Sequence, residues 1–226
     1  MRDQILAIDT DVWVFTETHR DVDPGPGYRI VACSSPALDR SGAERWVSIW
    51  ARTDLTNASY TSANTERTAC ARISFETGAD WYVYGVVLPW HGDKRRSPVM
   101  GKEGFMEALD EQASESVRIQ ATHPKARLLV AGDFNQDLLD DGHFYGSRAR
   151  RRVLQDALER AELECVTGGS TDPVARQNEG QASIDHVCIP RDRGVTVTSM
   201  AVWPSTAQLR CGLSDHHGVV VSLNVA

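Results

Sequence analysis

Five stretches of this chain join an apolar run to a residue able to do chemistry. They are DVWVFTETH with Glu17, YGVVLPWHGD with His91, LLVAGDFNQD with Asp133 and Asn135, ASIDHVCIP with Asp185, and LSDHHGVVVSL with Asp215 and His216. In an extended strand residues two apart share a side, so Asp133 and Asn135 can address one spot. A carboxylate that only accepts hydrogen bonds, beside an amide that both donates and accepts, suits a hydrated metal and a phosphate oxygen. Taken alone, LLVAGDFNQD reads better as a turn, because Asp and Asn bond their own backbone there. Each of the other groups also has a plain reading as a cap, a strand terminus or a loop residue. Recurrence of one grammar in five places is what points to a common rim.

One chemistry such a rim could serve is work on a phosphate oxygen beside a hydrated metal. A phosphodiester repels hydroxide, so its cleavage needs positive charge on the nonbridging oxygens and a positioned nucleophile. A hard dication supplies the charge and prefers oxygen ligands, which suits Glu17 better than any Cys or His. An acid holding one imidazole nitrogen leaves the other free to take or give a proton near neutral pH. Two basic clusters stand nearby in sequence, HGDKRRSP at 91–98 and SRARRRV at 147–153. The first follows a strand and falls in a loop; the arginines of the second are expected to form a solvated helix face.

The elements that must position these groups follow from hydrophobic period. Strands are expected at 11–17, 28–34, 45–53, 68–76, 80–89 and 127–133, and near 183–189, 195–203 and 216–225. Helices are expected at 2–9, near 99–121, where Phe105, Leu109, Ala113 and Val117 recur every fourth residue, and at 149–163. Runs such as YVYGVVL are apolar on both faces, which calls for sheets covered on each side. The simplest arrangement is a four-layer αββα sandwich, two stacked mixed sheets flanked by helices, in a single domain over 1–226. Hydrophobic residues make up 41% and charged residues 24% of the 226, ordinary for a globular chain. No run is apolar enough to span a bilayer, and MRDQILAID lacks the pattern of a signal peptide. Five cysteines without CxxC spacing read as free thiols, hence a cytoplasmic setting. A net charge of −7 excludes a protein that coats nucleic acid by bulk electrostatics, though not an enzyme that meets phosphates through a bound metal.

GDFN, the later SIDH at a strand start, the C-terminal SDHHGVVVSL and the early VFTET resemble the endonuclease/exonuclease/phosphatase superfamily of metal-dependent phosphoesterases, in the family's order along nearly the whole chain. The resemblance implies the four-layer sandwich, a divalent cation (Mg2+, with Mn2+ as the alternative) and a nucleic acid or other phosphodiester substrate. It makes Glu17 the principal metal ligand and sets Asp215 beside the metal. It gives Asp133 the attacking water, Asn135 a phosphate oxygen, His216 the catalytic imidazole and Asp185 its orienting acid. His91 is similar to the second histidine of the pancreatic-type deoxyribonucleases, with Glu44 of AERWVSIW as its acidic partner. His217 and His186 should face away from His216 and Asp185, and Trp90 is placed to stack on a base or sugar.

One departure stands out. Members of the superfamily open with a strand ending in an Asn near the metal, and only sixteen residues precede Glu17. Loss of that strand would expose ladder groups and apolar surface, implying weaker metal binding and a homodimer that covers the gap. Three functions follow: a nuclease-like phosphodiesterase, favoured by His91, Glu44 and the 94–96 cations; a phosphatase or phosphodiesterase for a small molecule or lipid headgroup; or a catalytically impaired binding protein on the same scaffold.

Overall fold

The computed structural model describes residues 7–36, 44–75, 78, 80–90, 102–191, 193–205, 207, 209 and 214–225. The helix expected at 2–9, the basic cluster at 91–98 and His91 itself lie largely or wholly outside these. The chain divides into two compact units, Met1–Val87 with Arg118–Gly132, and Leu88–Val117 with Asp133–Ala226. Among the described residues no helix is long and apolar enough to cross a membrane.

In the first unit, β1 (Val12–His19), β2 (Tyr28–Cys33) and β3 (Glu44–Arg52) form an antiparallel sheet in the order β1-β3-β2. A second run of strands, β4 (Thr56–Tyr60), β5 (Thr68–Ser74), β6 (Asp80–Val87) and β7 (Arg127–Asp133), follows the order β4-β5-β6-β7. The two stack through Trp46, Val47, Ile49 and Ala51 of β3 against Ala69, Ala71 and Ile73 of β5 and Val83 and Val87 of β6. Their approach is close enough that a Cβ on Gly85 would sit 2.5 Å from Val47 Cγ1. Strands apolar on both faces are thus buried on both faces, as YVYGVVL requires.

In the second unit β8 (Leu163–Cys165) pairs with β9 (Asp185–Pro190), and β10 (Val195–Trp203) with β11 (Gly218–Val225), both antiparallel. The helix α2 (Arg148–Arg160) and the short α3 (Pro173–Gln177) belong here, while α1 (Lys102–Thr122) passes from this unit into the first at Val117. Ser147 caps α2 by accepting the Arg150 N–H at 3.2 Å. Asp172 caps α3, with Pro173 in the first turn.

Three details depart from expectation. Val117 is 41% exposed whereas Phe105, Leu109 and Ala113 are buried. A row of every fourth residue drifts about 40° per step on a helix with 3.6 residues per turn, and by Val117 it has left the buried face. β4, β8 and α3 are additional elements: TNASY on β4 lacks an apolar alternation, and the three residues of β8 run on from the helix pattern before them. The arginines of 147–153 do not form a uniformly solvated face, since Arg150 is 3% and Arg151 8% exposed. Arg150 lies over the Phe105 ring at 4.5 Å, and Arg151 is drawn inward by buried Asp137.

Candidate active site

β7 delivers its last residue through a glycine that only glycine can be. Gly132 has φ 141, and a Cβ there would fall 2.0 Å from the Val86 carbonyl oxygen of β6. Asp133 follows, 3% exposed, and Asn135 next but one, 5% exposed. Asp133 Oδ1 accepts the Asn135 N–H at 2.7 Å, and its Oδ2 accepts Asn135 Nδ2 at 2.9 Å. This is the turn that the local pattern favours, and Asn135 takes the left-handed φ of 48 within it. Asn135 Nδ2 also donates to Leu88 O at 3.0 Å, and Leu88 N–H to Asp133 O at 2.9 Å.

The turn reading and the functional one turn out to be compatible. Phe134 N–H donates to Ile184 O at 2.9 Å, so the residue after Asp133 is tied to the residue before Asp185. Asp172 secures the same approach, taking the Ser183 N–H and hydroxyl at 2.9 Å each. Asp185 Oδ2 then meets His216 Nε2 at 2.8 Å, while His216 Nδ1 meets Asp215 Oδ1 at 2.9 Å. Ligand atoms of Asp133, Asp185 and His216 all lie within 4.8 Å of one another. His217, next along, is buried and its Nδ1–H donates to Pro204 O at 2.7 Å, fixing the chain on the other side of His216.

The electrostatics follow from this crowding of acids. Burial works against a charged His216, but the Asp185 carboxylate and its hydrogen bond, the bond to Asp215 and the Asp133 charge together raise it to about 11. Asp215 is lowered to about 2 by the hydrogen bond from His216, against a desolvation cost, with the imidazolium charge adding to it. The ring is therefore a cation at neutral pH with both N–H groups committed. Its partners differ in one respect: the Asp185 side chain is 15% exposed and that of Asp215 93%.

Behind the site a second network holds the loop 136–146. Asp137, fully buried, accepts from the N–H groups of Phe144 and Tyr145 at 2.9 and 2.8 Å and of Leu139 at 3.3 Å, and pairs with Arg151 and with His143. His186, buried beside Asp185, donates from Nε2 to Gln136 O at 3.0 Å. Tyr145 is raised chiefly by burial, then by the Asp133 charge and offset by His216, which places its phenol in the field of the site. Sequence reading passed over Asp137 and Tyr145, and set Arg151 on a solvated face. The second acid of GDFNQD was the available signal for Asp137; nothing local marks Tyr145.

Of the residues singled out from sequence, the structure gathers Asp133, Asn135, Asp185, Asp215 and His216 in the second unit. Glu17 and Glu44 belong to the first. Glu17 is an exposed residue of β1 with the left-handed φ of 51, a conformation uncommon for a non-glycine, and Glu44 opens β3 opposite His19. Trp90 is 43% exposed. The oxygen-rich donor set of Asp133 and Asp185 fits a hard dication such as Mg2+ or Mn2+.

No family model and no curated protein matches the sequence. Solved structures do. An endonuclease/exonuclease/phosphatase from Beutenbergia cavernae aligns over 100% of this chain and 65% of its own, with TM-score 0.65 and 19% identity. A 3′-5′ exonuclease from Neisseria meningitidis aligns over 99% and 93%, with TM-score 0.64 and 18% identity. A mannosyl-6-phosphatase from Bacteroides thetaiotaomicron aligns over 99% and 88%, with TM-score 0.61 and 14% identity. The fold is the one shared by these endonuclease/exonuclease/phosphatase structures, α/β with mixed sheets, as the sequence motifs imply.

Proposed function

We propose that this chain hydrolyses phosphodiester bonds with a divalent cation, in the manner of a nuclease. The reading is carried by one observation: two acids and a histidine from separate segments meet within 4.8 Å on this fold. When bound, a dication would neutralise charge on the nonbridging phosphate oxygens. Asp133 and Asp185 would hold it, and Glu17 keeps the role of metal ligand by resemblance alone.

The chain's own residues then divide the work. Asp133, locked by two bonds from Asn135, is the acceptor that orients the attacking water. His216, whose ring nitrogens face Asp185 and Asp215, is placed to meet a phosphate oxygen. The exposed Asp215 is the partner a phosphate displaces, and Asp185 keeps the ring in place. Asn135 contacts phosphate only if it exchanges one of its two present Nδ2 bonds, so its first duty is to hold Asp133. By resemblance alone, His91 keeps its proposed part as a second donor that favours DNA, with Glu44 as its acidic partner.

A small phosphate ester is the second reading, favoured by the net charge of −7, which opposes broad binding of a polyanion. Plasmid DNA, a model phosphodiester and a panel of phosphomonoesters, each with and without Mg2+, separate the two. DNA cleavage that needs Mg2+ and disappears in Asp133→Ala and His216→Ala supports the nuclease. Turnover of monoesters alone overturns it in favour of the second reading, and a folded protein inert on every substrate overturns both.

A further inference from the structure

Two thiols on the β8–β9 pair are left unused by the chemistry proposed above. Cys165 and Cys188 are directly opposite each other across this antiparallel pair. The ladder decides what kind of pair they are. Val166 N–H donates to Val187 O at 2.9 Å, and Arg191 N–H to Glu162 O at 2.9 Å. Hydrogen-bonded pairs recur at every second residue of an antiparallel ladder, so 162/191, 164/189 and 166/187 form that class and 165/188 falls between them. Non-hydrogen-bonded pairs bring Cα atoms to about 4.5 Å with side chains closest, inside the roughly 4.4–6.8 Å that a disulfide spans.

Directly opposite residues of a strand pair share a face, so the two sulfurs project to the same side. Their surroundings are unequal. Cys188 is 0% exposed, whereas Cys165 is part-exposed. Cys165 Sγ also lies 3.5 Å from His186 Nδ1 and 3.7 Å from Thr167 Oγ1. The hydrogen bond from Cys188, then the charge and hydrogen bond of His186, hold the Cys165 thiol well below the ordinary range against its desolvation. Burial, then the Cys165 sulfur, hold Cys188 well above it. A nucleophilic sulfur on a half-buried residue, backed by a fully buried second thiol, is the arrangement of an attacking and a resolving cysteine.

We propose that Cys165 and Cys188 are a thiol-oxidation site that closes a reversible cross-strand disulfide by exchange with a low-molecular-weight disulfide. The Cys165 thiolate attacks one sulfur of the small disulfide, whose S–S bond breaks. The expelled thiolate takes up the proton that Cys165 had released. Cys188 then gives up its proton, attacks the Cys165 sulfur of the mixed disulfide and expels the second small thiolate, which takes that proton. One small disulfide and two protein thiols become one protein disulfide and two small thiols. The bridge changes the sulfur that His186 Nδ1 faces, while Thr167 Oγ1 at 3.2 Å and the Gln136 carbonyl at 3.0 Å keep the ring in place.

The test uses the full, reduced chain and oxidised glutathione, followed by alkylation of free thiols and peptide mapping by mass spectrometry. The expected product is a peptide pair joined through 165 and 188, two hydrogens lighter than the reduced pair and restored by dithiothreitol. In Cys188→Ala the mixed disulfide on Cys165 has no resolving partner, so glutathione stays attached there. In Cys165→Ser, Cys188 stays unreacted. Wild-type protein in which both cysteines remain alkylatable after oxidation, or in which either pairs with another cysteine, overturns the proposal. So does Cys188 reacting unaided in Cys165→Ser.

Discussion

His216 sits between Asp185 and Asp215, and the difference in exposure of these two acids sets what each substitution should do. In metal-free protein the imidazole is expected to stay protonated well past neutral pH, with a midpoint near the value of about 11 that its acidic surroundings impose. Histidine resonances followed by NMR against pH check this. Asp185→Asn should bring the midpoint down markedly, because it removes the largest favourable charge, and Asp215→Asn should do so less. The sign for stability follows. A histidine raised above its unfolded value of about 6.5 stabilises the fold fully below that pH, and the contribution is lost as pH climbs through about 11. Unfolding midpoints in denaturant should therefore fall on the alkaline side more in wild type than in His216→Gln. For activity, Asp133→Ala and His216→Ala should each lower phosphodiester turnover by roughly 10²–10³-fold, the scale of losing one preorganised polar group. Loss of less than tenfold in either would remove that residue from the reaction.

Secondary elements hold these groups through contacts that differ in how openly the sequence displays them. The end of β7 was legible: an apolar run closing on Gly-Asp announces a buried strand whose last residue leaves the core, and Gly132 and Asp133 fulfil it. The Asp137 network was not, because two buried arginines on a basic helix look solvated until a carboxylate fourteen residues earlier is brought against one of them. The short β4 and β8 lacked the length that a period needs to show itself. Asp172-Pro173 could have announced α3 as a cap followed by proline, but it sat in a run of turn formers. Gly132→Ala should cost about 3 kcal/mol or more, since a Cβ would strike the Val86 carbonyl and the φ of 141 is closed to alanine. Chemical denaturation measures it. Asp137→Asn leaves Arg151 buried without its carboxylate, an expected loss of about 3 kcal/mol. The pH dependence is opposite in sign to that of His216. Burial opposes ionisation of Asp137, but three backbone N–H groups and Arg151 outweigh it and lower its pKa, so its stabilisation is complete above about pH 4 and lost as pH falls through the depressed value. Acid unfolding of Asp137→Asn should be correspondingly flatter than that of wild type.

At the scale of the whole molecule the governing quantity is uncompensated negative charge. The chain carries −7, and the site gathers the Asp133, Asp185 and Asp215 carboxylates around a single imidazolium, an excess of about two negative charges when all are ionised. Such a concentration repels a phosphodiester and opposes the folded state, so the proposed function links cation binding, folding and substrate acceptance. A ligand held only by the folded chain stabilises it by RT ln(1 + [L]/Kd), about 2.7 kcal/mol at a hundredfold excess over Kd. For a chain of this length that corresponds to a rise on the order of 5–10 °C in the melting temperature. Thermal unfolding of chelator-treated protein with increasing Mg2+ or Mn2+ should show the rise continuing with the logarithm of concentration, and excess chelator should reverse it. Added NaCl at matched ionic strength should give much less, because screening alone does not fill a coordination sphere. Asp133→Ala should abolish most of the cation-dependent part while leaving the salt effect in place. Equal melting temperatures with and without dication up to millimolar concentrations, in protein whose Asp133, Asp185 and His216 are intact, would contradict the metal assignment independently of any assay of turnover.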